Sequence, residues 1–457
     1  MTNKIMVALI SALLIVGAWA MFTTVEARLQ TELEQILGMA ATYREAGINH
    51  RAVQAFSEAL GRENNPNVAY ELAHIHLELG QNRDYINAIR TLLHANTPPD
   101  DMTIVELYLE AFEFYQNNQN RRDQIAFLSD AVAATGAFEL LRLYEQERYQ
   151  LIYRREVYQE AGVITNNMGL VQNEDGLWGF VDATGLNQIL PIFDSATHFA
   201  QGFTAVIQAS EIFLIDHRGL RQAVLPNPGI VPERVANFNG SRFSVRAAGE
   251  TSYREVTRPS QDIHMEWTDT VYDFIGIAVN NVRAIGSNGV WRLHDASNRN
   301  PGVGSDFVYE SIAIDEFGRA AVGNVIFVRQ NGQYRMIDMN GNVLAEPFDE
   351  ARPLFESGGL AAVRRGESWG FVNAQGEIVI DFQFENADSS SGRLAPVQQD
   401  GYWGYITIDT FPAEYHDYFF GSMAIEPQFL DAKQFVNGTA PVKTDNGWIY
   451  IRLLAYE

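Results

Sequence analysis

The sequence predicts an α+β multidomain protein, in which an N-terminal apolar helix is followed by helical hairpins and then by an all-β repeat domain. Three observations support this prediction. An uncharged apolar tract covers residues 5–22, and apolar side chains then recur with helical spacing to about residue 148. From about residue 150 the pattern changes to alternation interrupted by regularly placed glycines. We therefore expect three parts, residues 1–24, 30–148 and 150–457.

The first part is an apolar segment that is long enough to cross a bilayer. Lys4 precedes the tract of residues 5–22, which as a helix would span about 27 Å, close to the ~30 Å of a bilayer core. A leading cation favours an N-terminus inside the cell and the rest outside. Ala18-Trp19-Ala20 also fits a signal-peptidase site, so a cleaved signal peptide and secretion is the alternative to a retained single-pass anchor. We expect the bulk of the chain outside the cytoplasm, with membrane contact through this helix only.

Composition restricts the classes of partner. The chain has 457 residues, 46% of them hydrophobic, and a formal net charge of -24 at pH 7. A surface of that charge repels phosphate backbones, so no nucleic-acid partner is expected. The sequence contains no cysteine, which excludes disulfides, thiolate metal sites and cysteine nucleophiles.

The second part has the period of paired helices. Its apolar and turn positions recur thirty-three residues later, at Tyr43/His76, Gly47/Gly80, Ala52/Tyr85, Phe56/Ile89 and Ala59/Leu92. This stretch resembles the tetratricopeptide repeat family, from which His76 and Tyr85 depart. The resemblance implies a concave protein-binding surface, and the alternative is a helical spacer. His74 and His76 are expected on different helix faces and therefore not as a metal-binding pair.

The third part contains a repeated aromatic unit. Its clearest copies are Trp-Gly pairs at Trp178, Trp369 and Trp403, and weaker copies centre on Phe213, Tyr253, Trp291, Tyr334 and Trp448. Successive aromatics lie 34 to 45 residues apart, which is the length of one propeller blade or one β-coil. The sequence therefore predicts about eight units. At fixed repeat positions the indoles are expected in the core, and the Gly after Trp is expected to leave room for the indole or a neighbouring backbone.

A second marker supports the repeat independently. It consists of an aromatic residue, an Ala three residues later and a Val thirteen residues later. It occurs at Tyr158/Ala161/Val171, Phe193/Ala196/Val206, Phe384/Ala387/Val397 and Phe429/Ala432/Val442. Phe348/Ala351/Val363 is the same unit with two inserted residues, and Tyr309/Ile312/Val322 keeps the spacing with Ile in place of Ala.

Four of the units also contain an Asp or Asn followed three residues later by Gly. The pairs are Asp182/Gly185, Asp216/Gly219, Asp338/Gly341 and Asn373/Gly376. Such spacing predicts a hairpin turn in which Gly takes a left-handed conformation. Calcium loops are the alternative, and these turns lack the run of carboxylates that a calcium loop needs.

These units resemble the bacterial WG repeat family, also called KWG repeats, over about 300 residues. The resemblance implies a β-repeat fold and no particular activity. The last copy ends at residues 448–451 with no strand after it, and residues 151–153 form a strand with no Trp strand before it. Pairing the two ends would close a propeller-like ring without an exposed sheet edge. An open β-solenoid is the alternative.

The sequence contains no catalytic or cofactor motif that we recognise, such as a Gly-x-Ser-x-Gly elbow or a phosphate loop. We predict no catalytic, cofactor-binding or metal residues and no cofactor. The expected function is a non-catalytic binding or scaffolding protein of a bacterial envelope, with a protein as partner. An envelope-glycan-binding module is one alternative, which exposed indoles would favour. A propeller-type hydrolase is the other, which a channel gathering carboxylates with any of His198, His217, His264, His294 and His416 would favour.

Overall fold

The computed structural model describes residues 26–226, 229–257, 266–295 and 307–456. The chain divides into two compact units, Met1–Tyr144 and Glu145–Glu457. The apolar tract of residues 5–22 lies outside the described residues, so the predicted membrane anchor is not part of this description. Among the residues that are described, no helix is both long and apolar enough to span a bilayer.

The first unit consists of helices joined by short turns. Residues 26–45 are helical (α1), followed by α2 (Asn49–Arg62), α3 (Pro66–Glu78), α4 (Asn82–Ala95), α5 (Ile104–Asn118), α6 (Arg121–Thr135) and α7 (Phe138–Arg148), which runs across the boundary between the units. Gly47 and Gly80 have φ of +69° and +71° in the turns before α2 and α4, as the period predicted. The predicted helical hairpins are therefore present.

Apolar faces of these helices pack in two clusters. Ala52, Phe56 and Ala59 of α2 face Val68 and Ile75 of α3. The larger cluster joins α3 to α7 and includes Tyr85, Ile89, Leu107, Phe112 and Leu128. The two neighbouring histidines have separate partners, because His74 Nε2 lies 3.0 Å from the Glu110 carboxylate while His76 Nδ1 lies 2.6 Å from Gln81 Oε1.

The second unit is a ring of eight antiparallel sheets, an eight-bladed β-propeller. In each blade we call the strands a, b, c and d from the channel outward. The first strand of the unit is β1 (Leu151–Tyr153). Blade 1 contains β2 (Glu160–Ala161), β3 (Met168–Gln172), β4 (Trp178–Asp182) and β5 (Asn187–Phe193); blade 2 contains β6 (Ser195–Ala196), β7 (Phe203–Gln208), β8 (Glu211–Asp216) and β9 (Arg221–Val224); blade 3 contains β10 (Pro232–Ala236), β11 (Arg242–Ala247), β12 (Tyr253–Thr257) and β13 (Glu266–Tyr272); blade 4 contains β14 (Phe274–Ile275), β15 (Val282–Ser287) and β16 (Val290–Asp295).

The remaining blades continue the same order along the chain. Blade 5 contains β17 (Ser311–Ile312), β18 (Ala321–Val322), β19 (Val325–Gln330) and β20 (Gln333–Asp338); blade 6 contains β21 (Glu350–Ala351), β22 (Ala361–Arg365), β23 (Ser368–Val372) and β24 (Ile378–Phe384); blade 7 contains β25 (Asn386–Ala387), β26 (Leu394–Gln399), β27 (Tyr402–Thr407), the short helix α8 (His416–Phe419) and β28 (Met423–Phe429); blade 8 contains β29 (Asp431–Ala432), β30 (Thr439–Thr444) and β31 (Gly447–Leu453), followed by a 3-10 turn (Leu454–Tyr456).

The two ends of the second unit close the ring. Strand β1 pairs with β31 in antiparallel register, with Leu151 opposite Leu453 and Tyr153 opposite Ile451. The pairing continues to a bridge between Tyr158 and Trp448. Strand β1 thus supplies the outer strand of blade 8. The predicted closed ring is confirmed, and the open-solenoid alternative is wrong.

Both sequence markers correspond to fixed places in the blades. In blade 5 the strands a, b and c are β17, β19 and β20, and the short β18 belongs to the connection between a and b. All eight marker aromatics lie in strand c, and the Ala–Val pairs lie directly opposite each other between strands a and b, as in Ala161↔Val171 and Ala432↔Val442. The marker is wrong in blade 5, where Ile312 lies opposite Val328 and not Val322. Residues between Ile312 and Val322 form an extra turn that shifts the true partner six positions along the chain.

The Gly of each Trp-Gly pair is required by the backbone of the next strand. A Cβ on Gly179 would lie 2.6 Å from the Ile189 carbonyl oxygen, and one on Gly370 would lie 2.7 Å from that of Ile380. Real Cβ atoms do not approach a backbone so closely, so only glycine fits here. The indoles of Trp369, Trp403 and Trp448 are buried, as predicted, and that of Trp178 is half-buried.

The Asp-x-x-Gly segments form hairpin turns, as predicted. Asp182 Oδ1 accepts hydrogen bonds from the backbone N–H groups of Thr184 and Leu186. Asp216, Asp338 and Asn373 do the same in their own blades. Each turn's Gly has a positive φ, between +76° and +86°. These side-chain oxygens are thus engaged by the N–H groups of their own turns.

Candidate functional site in the propeller channel

The ring encloses a cavity of about 1130 Å³. The inner strands of blades 1, 2 and 3 line it from their beginnings to the turns that follow them. Turns of blades 4, 5, 6 and 8 complete the wall. This volume lies at the upper end of ordinary ligand pockets, so the cavity could admit an organic ligand of several rings or residues.

The extra turn of blade 5, which displaced the Val of the second marker, extends into this channel. We call residues 315–319, between strands a and b of blade 5, the axial turn. Asp315 Oδ1 accepts hydrogen bonds from the backbone N–H groups of Phe317 and Arg319 at 3.0 and 2.8 Å, and Gly318 has a φ of +87°. It therefore has the local chemistry of the Asp-x-x-Gly hairpins but stands at the channel end of its blade.

Glu316 of the axial turn reaches the opposite side of the ring. One carboxylate oxygen accepts a hydrogen bond from Lys433 Nζ of blade 8 at 2.9 Å, and the other accepts one from the backbone N–H of Val163 in blade 1 at 3.2 Å. Blade 1 is four blades away from blade 5 around a ring of eight. The side chain therefore crosses the channel.

The rest of the axial turn contacts three further blades. The Phe317 ring lies 4.8 Å from the His198 ring of blade 2 in an edge-on arrangement. The Gly318 carbonyl accepts a hydrogen bond from the Ile277 N–H of blade 4, and Arg319 donates to the Phe355 carbonyl of blade 6, both at 2.8 Å. A single five-residue turn thus connects five other blades at the centre of the ring.

The charges at the centre hold each other in the ionised form. Burial raises the pKa of Glu316, but Lys433 and His198 beside it lower that pKa further, so that it lies below the ordinary value. Burial lowers the pKa of Lys433, and the Glu316 carboxylate more than compensates, so that it lies above the ordinary value. Each side chain is about a quarter exposed, 24% for Glu316 and 27% for Lys433, and both line the cavity.

Burial lowers the pKa of His198 below its ordinary value; the Glu316 carboxylate opposes this shift, and the positive charge of Lys433 adds to it. Its Nδ1 is buried and has no hydrogen-bond partner in the part of the protein that is described. His217 stacks on Phe199 at 4.7 Å and contacts the Asn166 carbonyl at 2.9 Å. His294 and His416 lie in β16 and α8, and His264 lies outside the described residues.

Other charged side chains around the channel are also paired. Asp315 contacts Arg319 at 2.5 Å, Glu233 contacts Arg246 at 3.0 Å, and Asp388 contacts Arg352 at 3.4 Å. None of these pairs is predictable from the sequence, because each residue type is ordinary and the partners of the central pair are 117 residues apart. The one signal for these pairs in the sequence was the charged residue directly after the Ala of strand a, as at Arg352 and Lys433.

A second buried charge cluster lies where the chain enters the propeller. Arg148 contacts Glu145 at 2.9 Å and Asp409 at 2.8 Å, and Asp409 also contacts Arg393 at 3.0 Å. Burial raises the pKa of Glu145 to about 7, since Arg148 offsets it only in part and Asp409 raises it further. Asp409 thus has two cations beside it, whereas Glu145 has, among the described residues, Arg148 alone.

The propeller should therefore lose stability as pH rises towards neutrality. The folded-state pKa of Glu145 is raised above its ordinary value of 4.5, so its stabilising contribution is complete below that value and is lost as pH rises through about 7. The loss is at most about 3 kcal/mol. We expect the unfolding free energy of Glu145→Gln, measured by urea titration, to change less with pH between pH 5 and 8 than that of the wild type. Replacing the exposed Glu139 in Glu139→Gln should leave the pH dependence unchanged. Parallel slopes for wild type and Glu145→Gln would contradict this.

The repeat sequence and the fold both have known relatives. Residues 178–209, 369–403 and 420–448 match the family of the WG containing repeat. A search of curated protein sequences found no match. The second unit is therefore an eight-bladed propeller that carries WG-type repeats.

Solved structures that are similar to this chain share little sequence identity with it. The Dos1 propeller is 10% identical with a TM-score of 0.41, covering 68% of this chain and 95% of that one. Streptogramin B lyase is 12% identical with a TM-score of 0.32, covering 57% and 92%. Kluyveromyces lactis Hsv2 is 8% identical with a TM-score of 0.34, covering 64% and 98%.

Proposed function

We propose that this chain is a non-catalytic binding and scaffolding protein of a bacterial envelope, anchored by its N-terminal tract, which holds a protein partner. The observation that carries the non-catalytic part is the pairing of charges inside the channel. Both oxygens of Glu316 are engaged, by Lys433 and by the Val163 N–H. A carboxylate held ionised in this way is a weak base and cannot serve as an acid at neutral pH.

A propeller-type hydrolase is the second candidate, because the channel does bring His198 together with Glu316. Two features weigh against it. The His198 Nδ1 is buried away from the cavity solvent, and the pKa of Glu316 lies below rather than near the working pH. Hydrolysis of any substrate that is lost in His198→Gln while the fold is retained would favour the hydrolase.

The partner is proposed to dock on the helical unit, whose hairpins resemble tetratricopeptide repeats. Helix α1 presents exposed apolar side chains, with Leu29 54% and Met39 51% exposed. Met39 borders a shallow hollow of about 480 Å³ that also includes Gly38 and Tyr43. Exposed methionine beside a small residue is a surface that can adapt to a partner's apolar side chains.

The test is site-specific photo-crosslinking in the full-length chain in intact cells. A photoreactive residue at Met39 is expected to capture a defined protein, and one at Leu190, which is 67% exposed in the propeller, is expected not to capture it. Capture at a neighbouring exposed α1 position should be lost when Met39 is changed to Glu. Protease added outside the cells should degrade the propeller. Capture from Leu190 alone would make the helices a spacer, and full protection from protease would contradict export.

A further inference from the structure

Tight turns surround one mouth of the propeller channel. They connect strand a to strand b, and because strand a runs in the same direction in every blade, all of them lie on the same face of the ring. Seven exposed residues in these turns have positive φ between 48° and 67°, and each carries a primary amide. They are Asn166, Asn167, Gln201, Asn280, Asn281, Asn324 and Asn437, which we call the amide rim.

The turn conformation alone does not explain the amide rim. Asn is favoured over most residues at positive φ, so the turns between strands b and c provide a comparison within the same blades. There the five non-glycine residues with positive φ are Ala209, Ser210, Asn288, Asn331 and Asp400. On the face of the b–c turns, four residue types take a positive φ. On the face of the a–b turns, every non-glycine residue with a positive φ is an amide.

The amide rim is an uncharged surface on a strongly acidic protein. Its side chains offer both donors and acceptors, and few of them are used internally, such as Asn166 Nδ2 with the Phe199 carbonyl at 3.0 Å and Asn280 Nδ2 with Asn324 Oδ1 at 2.9 Å. Within the mouth, Phe317 and Phe355 lie 5.8 Å apart as half-buried rings on the cavity wall. The Arg319 guanidinium lies over both rings, at 4.9 and 5.7 Å from their centroids. The neutral hydrogen-bonding groups of the rim therefore lie above an aromatic pair with one cation beside it.

We propose that the amide rim and the cavity it surrounds bind a neutral glycan chain. Sugar rings present hydroxyl groups that pair with primary amides and apolar faces that stack on aromatic rings. The inference goes beyond the protein-docking role proposed for the helical unit, and it does not depend on the buried indoles. A cavity of about 1130 Å³ accommodates several sugar units.

Other ligand classes fit this site less well. An anionic polymer would meet a chain of net charge -24. The charged side chains of the cavity wall include pairs of opposite sign, as Glu316 with Lys433 and Glu233 with Arg246, which weakens the attraction of a charged polymer of either sign. An extended peptide needs a continuous sheet edge to pair with. Most inner strands offer only two residues, as β2, β6 and β29 do, so that edge is short in most blades.

The test measures binding of neutral tetrasaccharides to the full-length protein by calorimetry and saturation-transfer NMR. The probes are maltotetraose, cellotetraose, chitotetraose and mannotetraose, with an uncharged Gly-Ser-Asn peptide as the competing class. Glycine also adopts positive φ, so Asn166→Gly/Asn437→Gly removes two rim amides without straining the turns. Asn288→Gly/Asn331→Gly makes the same change on the opposite face and serves as the control.

We expect at least one tetrasaccharide to bind, with affinity about tenfold lower in the rim variant and unchanged in the control. Three results would each overturn the proposal. One is the absence of binding by all four tetrasaccharides at about 10 mM, a concentration at which even millimolar sites are occupied. Another is equal binding by the rim and control variants. The third is rim-dependent binding of the peptide without binding of any glycan.

Discussion

Deleting residues 447–457 is expected to unfold the whole propeller and not blade 8 alone. The deletion removes β31, which pairs with β30 on one side and with β1 on the other. Without it the ring has no contact that joins its first and last blades in a single sheet. Strands β30 and β1 would both be left with unpaired backbone groups, and blades 1 and 7 would each lose a packed neighbour.

The measurement is urea unfolding followed by far-UV circular dichroism, with tryptophan emission from the remaining indoles. The full-length propeller should unfold in a cooperative transition as urea is added. The propeller of the truncated chain should already be unfolded in the absence of urea and should show no such transition. In an open array of repeats the loss would stay local. A truncated chain that keeps a cooperative transition near the original midpoint would refute ring closure as a shared stabilising contact.

A disulfide offers the converse test in a protein without cysteine. Leu151 and Leu453 lie opposite each other in the closing pair and between hydrogen-bonded positions, where Cβ atoms are closest. Leu151→Cys/Leu453→Cys can therefore form one bridge, closing a loop of about 300 residues. Oxidation should stabilise the variant over its reduced form by about 5 kcal/mol, since loop-closure entropy grows with loop length. Comparing the two forms of one variant cancels the cost of the lost leucines.

The blades were predictable because their determinants are local. Trp, Gly and the Asp-x-x-Gly turn lie within about a dozen residues, and each acts on its own strand or the next one. Only glycine fits at position 370, because a Cβ there would lie 2.7 Å from the Ile380 carbonyl oxygen. Even the eroded copies at Phe213 and Tyr253 keep the spacing, because strand lengths and ring closure restrict how far a unit can drift.

The centre of the ring was not predictable, because its determinants are contacts between distant blades. Glu316 and Lys433 occupy different positions in their units, so no period relates them. The Asp315/Gly318 pair has the signature of an outer hairpin, and nothing local indicates that it follows strand a instead. The one effect of this insertion on the repeat pattern was the wrong partner for Ile312. The marker predicted Val322, six residues before the actual partner Val328.

Removing the Glu316 carboxylate is expected to destabilise the propeller by about 2 kcal/mol. In Glu316→Ala the Lys433 ammonium stays inside the ring without its 2.9 Å partner, and the Val163 N–H loses its acceptor. Removing one partner of a fully buried pair costs about 3–5 kcal/mol, and the partial exposure of this pair reduces that cost. Glu316→Gln/Lys433→Met, which removes both charges, should be more stable than Glu316→Ala.

The control for this experiment is Lys443→Met. Lys433 and Lys443 lie over the same Trp448 ring, at 5.3 and 5.9 Å, but Lys443 is exposed on strand b. Its replacement removes a similar charge and aromatic contact without touching the axial turn. Equal losses for Lys433→Met and Lys443→Met in urea unfolding would show that the cross-channel pair contributes nothing specific.

The pH dependence separates the ion pair from packing alone. The pKa of Glu316 is depressed in the folded state, so its stabilising contribution is present above its ordinary value of 4.5 and is lost as pH falls through the folded-state pKa. The stability gap between wild type and Glu316→Gln should therefore be constant from pH 5 to 8 and narrow below pH 4. If the gap stayed constant down to pH 3, the axial turn would stabilise the ring by shape and not by charge.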